Sequence, residues 1–558
     1  MYINGARIVV ESLFKEKVDT VFCYIGGAVI PIFDALHKHG RNLRLIQPRH
    51  EQGGTHAADG YARSTGKTGV VIVTSGPGAT NTITGITTAY MDSIPMVVIT
   101  GQVPTGNLGT DAFQEADITG ITIPITKANF LVKNIEDLAP IMKQAFHIAR
   151  TGRPGPVVVD IPSDIQKEKT RFDYPEKFAL SSYKPKENGH PGQIKAAMGL
   201  IQKAKRPLIL VGGGVISSGS TDIVNQFIDR FGIPAVATLM GRGINPRKEE
   251  LYLGGIGMHG SQYGNYAIQK TDLLIALGSR FSDRILGDVV SFAPKAKIIH
   301  VDIDPAEIGK NKNVHVPIVG NIRSVVSKLL EMVEVEHRYG DWILELTNFR
   351  NNHPMTYTPS DGLKPQYLIQ LANNMFPEDA IVVSDVGQNQ MWVSQYYQFK
   401  HPRCYLSSGG LGTMGFALPA SIGAKIGNPH REVLMVAGDG GFQMNIQELA
   451  TIRKYGLNIK MLVLDNAYLG MVRQWQQLLC KKRYMETEMM GNPDFAEIAR
   501  VFGIKSRSIS RPDEAETAMS ELAESSEAML IHAKVEREEN VLPMVPAGKS
   551  LDSALTQI

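Results

Sequence analysis

The chain has 558 residues, of which 43% are hydrophobic and 20% are charged, and its formal net charge is +3 at pH 7. These fractions are those of a globular protein, and the length exceeds what one hydrophobic core supports, so we expect three domains of ordinary size. Because basic and acidic residues are interspersed and nearly balanced, neither nucleic acid nor an anionic membrane is expected as a partner.

The cysteines and the N-terminal sequence indicate in which cellular compartment the protein is expected. Cys23, Cys404 and Cys480 are isolated and odd in number, which favours a reducing environment without disulfides. The first residues run at once into an amphipathic helical pattern, without a signal peptide or transit segment. No apolar run approaches the roughly 20 residues of a membrane span. We therefore expect a cytoplasmic protein.

The first block of the chain, to about Ile165, alternates helical patterns with short apolar runs. Three of these runs, 70–74, 96–100 and 156–160, are rich in β-branched residues and have the pattern of buried parallel strands. The polar segment 166–190 follows. Because it lacks apolar periodicity, we interpret it as a linker.

A second block contains predicted strands at 207–211, 273–277 and 297–302. The polar stretch 348–364 separates it from a third block. That block opens with a predicted strand at 381–385 and ends near Val535.

Three successive strand-and-helix blocks predict an α/β protein with three doubly wound parallel-sheet domains. The tail that follows them is predicted to be extended. We place the domains and the tail at 1–165, 190–345, 365–535 and 536–558.

The most informative motif is the stretch 438–441, Gly-Asp-Gly-Gly, which ends a predicted strand, and Asn466, which ends the next one. A helical pattern at 445–455 lies between, as in one crossover unit of a parallel sheet, so Asp439 and Asn466 are expected at the carboxyl ends of strands. A carboxylate and an amide oxygen suit Mg²⁺, and glycines let backbone N–H groups approach a phosphate. By itself Gly-Asp-Gly is more often an ordinary turn. The matched Asn466, 27 residues beyond Asp439, favours a magnesium-diphosphate site.

Other glycine-rich segments are less specific. Gly212-Gly213-Gly214 directly follows a predicted strand and is either a phosphate loop or a tight strand-to-helix turn. Asp302 and Asp304 resemble the acidic residues that hold a ribose hydroxyl, which favours a nucleotide in the middle domain. Gly410–Gly415 fits G-x-G-x-x-G but follows no convincing strand. No G-x-S-x-G or H-E-x-x-H pattern occurs, so neither a hydrolase nor a zinc enzyme is indicated.

Longer motifs extend through nearly the whole chain. They occupy residues 49–53, 75–81, 101–104, 109–115, 257–260, 278–284, 410–415, 470–476 and 544–546. With these motifs the chain resembles the catalytic subunits of acetolactate synthase (acetohydroxyacid synthase), in the FAD-containing biosynthetic branch of the thiamine-diphosphate enzymes. The most specific are Thr-Asp-Ala-Phe-Gln-Glu at 110–115 and Gly-Met-Val-Arg-Gln-Trp-Gln at 470–476.

The resemblance implies a thiamine-diphosphate site shared between a pyrimidine-binding first domain and a diphosphate-binding third domain. Glu51 would contact the aminopyrimidine ring and promote the tautomer that takes the thiazolium C2 proton. Met414 would bend the cofactor. Without the resemblance, Glu51 would be a capping or ion-paired residue and Met414 a core methionine. Asp439, Asn466 and the main-chain oxygen of Tyr468 would bind Mg²⁺. The other implied cofactor contacts are Val386, Gly387, Gln388, Asn389, Gly412, Gly438, Gly440, Gly441, Gly470 and Met471.

The same resemblance implies substrate and flavin contacts. Gly27, Phe113 and Gln114 would lie beside the reacting carbon. Trp475 and Arg280 would influence the second substrate, because a guanidinium matches the carboxylate of a 2-oxoacid. FAD in the middle domain would be structural, since the reaction has no net redox change. Its implied contacts are Gly212, Gly213, Gly214, Thr238, Leu239, Met258, His259, Arg280, Arg284, Asp302 and Ile303.

Two positions depart from the family pattern. Ser163 stands where Lys is common, which removes a cation near the substrate channel. Asn389 stands where His is usual, and it keeps a hydrogen-bond donor, so diphosphate binding is expected to survive.

The implied reaction is decarboxylation of pyruvate and transfer of the two-carbon unit to a second pyruvate or to 2-oxobutyrate, the first common step of branched-chain amino acid biosynthesis. The implied assembly is a homodimer or a dimer of dimers, in which one subunit supplies Glu51 to the cofactor on the other, with a regulatory small subunit as a further partner.

Three alternatives stay open. A sister enzyme, such as a flavin-free acetolactate synthase, a pyruvate oxidase or a glyoxylate carboligase, is disfavoured by the 280–284 motif and by Glu51. A nicotinamide oxidoreductase rests only on the glycine loops. A catalytically inactive scaffold is disfavoured by intact Glu51, Asp439 and Asn466.

Overall fold

The computed structural model describes residues 1–176, 183–332 and 339–557. Three six-stranded sheets, each parallel throughout, form its framework, and this confirms the predicted fold class. Parts of the predicted linker 166–190, of the 190–345 domain and of the tail fall at 177–182, 333–338 and 558, outside the described residues. The predicted domain boundaries stay a prediction. Within the described ranges, no helix is both long and apolar enough to cross a membrane.

The first sheet belongs to the N-terminal part of the chain. The elements are β1 (Tyr2–Asn4), α1 (Gly5–Lys15), β2 (Thr20–Tyr24), α2 (Ile30–His39), β3 (Arg44–Ile46), α3 (Glu51–Thr65), β4 (Gly69–Val73), α4 (Pro77–Thr80), α5 (Ile83–Asp92), β5 (Met96–Gln102), α6 (Ile118–Thr122), β6 (Ala128–Leu131), α7 (Ile135–Arg150), β7 (Pro156–Pro162), α8 (Ser163–Lys167) and β8 (Lys169–Arg171). The sheet order is β3-β2-β4-β5-β7-β6. Strands β4, β5 and β7 are buried along their whole length, as in sheets covered by helices on both faces.

The predicted linker is wrong at its beginning. Strand β8 lies within it and pairs antiparallel with β1, with Ile3 opposite Thr170. Each strand has only three residues, too few to show an alternating pattern in the sequence. The pairing ties the end of the first domain back to the N-terminus.

The second sheet lies in the middle of the chain. Its elements are α9 (Pro191–Lys203), β9 (Pro207–Val211), α10 (Gly213–Ser217), α11 (Thr221–Phe231), β10 (Ala235–Ala237), β11 (Tyr252–Gly255), α12 (Gln262–Lys270), β12 (Leu273–Leu277), α13 (Asp283–Leu286), β13 (Lys297–Asp302), β14 (Val316–Val319), α14 (Ile322–Glu331) and α15 (Gly340–Asn352). The order is β11-β10-β9-β12-β13-β14. Helix α15 extends into the start of the polar stretch 348–364. Its buried residues, Trp342 and Leu346, lie before that stretch.

The third sheet completes the framework. Its elements are α16 (Pro365–Met375), β15 (Ile381–Ser384), α17 (Gln388–Tyr396), β16 (Tyr405–Leu406), α18 (Ala417–Gly427), β17 (Val433–Gly438), α19 (Asp439–Met444), α20 (Leu449–Tyr455), β18 (Lys460–Asp465), α21 (Gly470–Leu479), α22 (Phe495–Val501), β19 (Lys505–Ile509), α23 (Pro512–Glu524) and β20 (Met529–Lys534). The order is β16-β15-β17-β18-β20-β19.

The connection between β17 and β18 differs from the single helix predicted at 445–455. Helix α19 already begins at Asp439, and a 3₁₀ turn, Ile446–Glu448, joins it to α20. Gly440 and Gly441 are therefore helical. The glycines hid this helix because glycine has a poor helix propensity.

Between residues 536 and 557, the C-terminal tail contributes no strand to the third sheet. It returns to the middle domain, where Val545 N donates to Met258 O at 2.8 Å. Met544 and Leu555 also form an isolated antiparallel bridge within the tail.

The first and third domains share one hydrophobic core, centred on the contact between α3 and α18. A β-carbon on Gly60 would lie 2.1 Å from Ala420 O, and one on Gly423 would lie 1.7 Å from Ala57 O. The two helix backbones therefore touch directly. At the other end of α3, buried Arg63 pairs with Asp59 and Asp92. The contact fixes the orientation of the two domains.

Replacing Gly423 by Ala is expected to lower the free energy of unfolding by about 1–3 kcal/mol, since the added methyl group overlaps backbone atoms of α3. Urea unfolding of the purified protein measures this. The matched control is Gly199→Ala in α9, where a β-carbon meets nothing within 4 Å. That change should stabilise by about 0.5–1 kcal/mol. Equal stability of Gly423→Ala and the wild type would contradict the packing argument.

Candidate functional site

A cavity opens at the carboxyl ends of β15, β17 and β18 in the third sheet. The predicted residues among those that line it are Val386, Gly387, Gln388, Asn389, Met414, Gly438, Asp439, Gly440, Gly441, Asn466, Tyr468, Gly470 and Met471. Parallel strands end at one edge of a sheet, and loops from neighbouring strands meet there. All lining residues lie between Val386 and Val472, so the cavity belongs to the third domain alone.

Asp439 is 2% exposed, at the start of α19. Asn492 Nδ2 donates to Asp439 Oδ2 at 2.7 Å and to Asp465 Oδ1 at 3.1 Å, so one amide bridges two carboxylates. Burial, together with the charge of Asp465, raises the pKa of Asp439 to about 7. Asp465 is in turn held by His532 Nε2 at 2.9 Å. A divalent cation would favour the ionised form of Asp439.

Asn466 is held in the same cavity by a chain of amides. Its Nδ2 donates to Gln388 Oε1 at 3.1 Å, while its Oδ1 accepts from Tyr468 N at 3.1 Å. Gln388 Nε2 donates to Gln474 Oε1 at 3.0 Å. A β-carbon on Gly470 would lie 2.1 Å from Gln388 Oε1 and 2.8 Å from Asn466 Nδ2, so a side chain at residue 470 would displace this network. Asn466 and Tyr468 are thereby fixed beside Asp439.

Asp385, which no sequence motif singles out, lies directly before the lining residue Val386 and holds the backbone around the cavity. Asp385 accepts from Val386 N at 2.9 Å, Gly415 N at 3.0 Å and Ala417 N at 2.9 Å. Burial raises the pKa of its carboxyl to about 6. A β-carbon on Gly441 would lie 2.3 Å from Asp385 Oδ1. Asp385 ends the strand predicted at 381–385, and this position at the carboxyl end of a strand was the available signal.

Met414 borders the cavity opposite α19. A β-carbon on Gly440 would lie 3.3 Å from Met414 Cε, so the methionine and the glycine face each other. Gly412 precedes it with φ +75° and is not among the lining residues. Asn492, Trp392 and Leu469 also belong to the site, although their sequence carries no motif.

Glu51 is the first residue of α3, with His50 as N-cap. Its Oε2 accepts from Asn81 Nδ2 at 3.0 Å. A β-carbon on Gly78 would lie 3.4 Å from Glu51 Oε1 and 2.6 Å from Thr74 Cγ2. Glu51 thus neither caps α3 nor lines the cavity of its own chain; it stands beside the carboxyl end of β4.

The other first-domain residues gather at the same place. Gly27 follows Gly26, and a β-carbon added to Gly26 would lie 2.5 Å from Thr74 Cγ2. Gln114 lies against Gly76, because a β-carbon added to Gly76 would lie 2.8 Å from Gln114 O. Phe113 is 89% exposed. The chain therefore carries two separate groups of predicted residues, one on each outer domain.

The loop that carries Phe113 and Gln114 is held by a buried carboxyl on β7. Gln102 Nε2 donates to Ala116 O and to Asp160 Oδ2, both at 2.9 Å, and Thr100 Oγ1 donates to Asp160 Oδ1 at 2.6 Å. Burial raises the pKa of Asp160 to about 7. Ser163, one of the two departures from the family pattern, begins α8 just beyond this strand.

The residues predicted for FAD lie at the carboxyl ends of four strands in the second sheet. Gly212–Gly214 follow β9, Thr238 and Leu239 follow β10, Arg280 follows β12, and Asp302 ends β13 with Ile303 after it. Burial raises the pKa of Asp302 to about 6. A β-carbon on Gly212 would lie 2.0 Å from Gly278 O, so this loop packs tightly against the next strand end.

Met258 and Arg284 lie together at this face, with Met258 N donating to Arg284 O at 2.9 Å. His259 is half-buried, and its buried Nδ1 atom has no hydrogen-bond partner among the described residues. Trp475, on α21, and Arg280 are both half-buried and lie on different domains.

Comparison with known proteins agrees with this architecture. Models of the thiamine pyrophosphate enzymes match all three parts of the chain: the N-terminal TPP binding domain at residues 3–121, the central domain at 194–329 and the C-terminal TPP binding domain at 385–533. The chain therefore belongs to the thiamine pyrophosphate enzymes.

Full-length relatives narrow the class. The chain is 46% identical to an acetolactate synthase of Mycobacterium bovis, over 99% of this chain and 91% of the relative. It is 44% identical to a probable acetolactate synthase large subunit of Methanococcus aeolicus, over 100% and 96% of the two chains. An acetolactate synthase large subunit of Haemophilus influenzae is 43% identical over 99% and 98%. Within its class the chain belongs to the acetolactate synthases, transferases of branched-chain amino acid biosynthesis.

Asp160 makes the free energy of unfolding of the protein depend measurably on pH. Its folded-state pKa lies above the unfolded value, so its contribution to stability is complete in acid and is lost as the pH rises towards 7. Between about pH 5 and about pH 7.5 the wild type should lose about 2 kcal/mol more stability than Asp160→Asn. Urea unfolding at the two pH values measures the difference. The same pH dependence in both proteins would show that Asp160 ionises normally.

Proposed function

We propose that the protein decarboxylates pyruvate and joins the two-carbon unit to a second 2-oxoacid, giving 2-acetolactate from pyruvate and 2-aceto-2-hydroxybutyrate from 2-oxobutyrate. The observation that carries the proposal is the cavity of the third domain, which gathers Asp439, Asn466, Tyr468 and the glycines around one space. When bound, thiamine diphosphate supplies the electron sink for the carbon that has lost carbon dioxide.

Mg²⁺ and the diphosphate fit the donors of this cavity. Asp439 and Asn466 would each give one side-chain oxygen and Tyr468 its carbonyl oxygen, a set suited to a small hard cation that keeps phosphate and water in its shell. Trp392 also lines the cavity, and its buried Nε1 lacks a partner among the described residues, a donor that an oxygen-rich ligand would satisfy. Met414 would support the bent cofactor from the opposite wall.

Glu51 would hold and move the proton at the aminopyrimidine. Since the cavity draws all its lining from the third domain, the Glu51 that completes it would come from a second copy of the chain. Large apolar side chains are exposed beside both groups of residues: Ile25 and Phe113 beside the first, and Met444 and Val472 beside the second. Such exposed apolar surface is typical of an interface. Gly27, Phe113 and Gln114 would then enclose the reacting carbon and exclude water.

FAD would lie across the strand ends of the second sheet. There Asp302 would accept a hydrogen bond from a ribose hydroxyl, and Nδ1 of His259, which has no partner among the described residues, would bind a polar group of the cofactor. Its role would be structural. Arg280 would pair with the carboxylate of the second 2-oxoacid, and the half-buried Trp475 would form the wall against its alkyl group. Because relatives are described as large subunits, we also propose a regulatory small subunit as a partner.

Mixed dimers test the shared site. Glu51→Gln and Asp439→Ala should each abolish acetolactate formation. Mixed in equal amounts with subunit exchange, they should regain roughly a quarter of wild-type activity, because half of the dimers are hybrids and each hybrid has one intact site. Each variant taken alone through the same procedure is the control. A site made within one chain would give no recovery.

The flavin is tested by absorbance. The purified protein should be yellow and release roughly one FAD per chain on denaturation, and Asp302→Ala should bind less because it removes the ribose contact. Adding NADH or NADPH should leave the flavin spectrum unchanged. A colourless protein would remove FAD from the proposal, and bleaching by a nicotinamide would favour an oxidoreductase.

A further inference from the structure

The segment that leads into Glu51 is held by a side chain of the third domain. Glu448, at the end of the 3₁₀ turn between α19 and α20, is 0% exposed. Its Oε1 accepts from Arg49 N at 2.9 Å and from His50 N at 3.1 Å, and its Oε2 accepts from Thr451 Oγ1 at 2.6 Å. A buried carboxylate thus binds the two amides directly before Glu51.

The surroundings of Glu448 are adapted to this contact. A β-carbon on Gly53 would lie 2.4 Å from Glu448 Oε1, so the first turn of α3 leaves room for the carboxylate only because residue 53 is glycine. Farther along α20, Tyr455 OH accepts from Gln47 N at 2.8 Å. Three backbone N–H groups in the segment 47–50 are therefore fixed by one continuous segment of the third domain, residues 448–455.

We infer that Glu448 is a positioning residue, which orients Glu51 by holding the backbone of Arg49 and His50. The inference rests on the proposed role of Glu51. Glu448 does not line the cavity of its own chain, and its hydrogen bonds go to the backbone of Arg49 and His50 rather than to the side chain of Glu51, so it acts through the backbone. Glu51 in turn serves the cavity of the partner subunit, so Glu448 affects a site on the other chain.

Three substitutions separate the contact from general stability. Glu448→Ala removes the acceptor and leaves two buried N–H groups unpaired. Glu448→Gln keeps an oxygen for the two amides and places its NH₂ group towards Thr451. Gly53→Ala displaces the carboxylate without removing it, and it replaces Glu448→Ala if that variant does not fold. The matched control is Lys454→Ala on the same segment of chain, which touches Gln47 only through its side-chain Oε1.

Hydrogen exchange of the amides of Arg49 and His50, measured by mass spectrometry, reports the contact without reference to activity. Exchange should be faster in Glu448→Ala and Gly53→Ala and close to wild type in Glu448→Gln and Lys454→Ala. The kcat for acetolactate should fall about 10- to 100-fold in the first two variants, since a small misplacement of a catalytic group has effects of this size. Glu448→Gln should recover most of it.

Complementation gives a readout that a purely structural role would not move. In hybrids of Glu448→Ala with Asp439→Ala, the one intact cavity lies on the Glu448→Ala chain and takes its Glu51 from the Asp439→Ala chain. Activity should therefore return, as it should in the mixture of Glu51→Gln with Asp439→Ala. Hybrids of Glu448→Ala with Glu51→Gln should stay at low activity. Recovery only with Glu51→Gln would mean that Glu448 acts on its own cavity and would overturn the inference.

The outcomes distinguish this inference from the proposed function. If the wild type makes no acetolactate above Glu51→Gln, the proposed function fails. If the wild type is active and Glu51→Gln is not, while Glu448→Ala keeps the full kcat or the slow exchange of residues 49 and 50, only the positioning role of Glu448 is wrong.

Discussion

The backbone contact between α3 and α18 is the constraint on which the remainder of the site depends. Gly60 and Gly423 allow the two helices to approach until side-chain atoms are excluded from the interface. Glu51 is the first residue of α3, and Met414 stands just before α18. One rigid helix pair therefore sets the positions of residues that belong to two different domains, and buried Arg63 secures its far end.

The third domain gathers polar groups that are unfavourable by themselves. Asp439 and Asp465 lie close enough to share Asn492, and both are largely buried. Burying two carboxylates together costs free energy unless a cation or a proton compensates. The amide of Asn492 limits this cost, because it donates a hydrogen bond to each of the two carboxylates. The arrangement is one in which a bound cation would improve the stability of the fold as well as bind a ligand.

The sequence was most informative where a candidate site residue directly follows an apolar run that predicts a strand. The placement of Asp439 and Asn466 at neighbouring strand ends followed from two apolar runs with polar residues after them, since parallel strands end at one edge. Gly440 and Gly441 obscured the start of α19, because glycine has a low helix propensity and is common in turns. The pairing of β1 with β8 was hidden because each strand is three residues long.

Contacts between distant segments could not be read from local pattern at all. Asp385 binds Gly415 and Ala417, and Glu448 binds Arg49 and His50, at separations that no motif spans. Gly53 carried a signal of this kind, but a glycine inside a helix shows only that something approaches, not what approaches. The three-dimensional structure shows that the group approaching Gly53 is the carboxylate of Glu448.

The same contacts bear on how two active sites on a dimer would be related. The segment from Asp439 to Glu448 begins at a residue of the chain's own cavity and ends at the residue that holds Arg49 and His50. Asn445, between them, caps α19 and donates to Gly415 O at 2.7 Å, on the loop beside Met414. A shift of α19 on ligand binding would therefore reach Glu51 through bonded neighbours. If that Glu51 completes the partner's cavity, as proposed, these contacts connect the neighbourhood of one cavity with the catalytic group of the other by a short and continuous path.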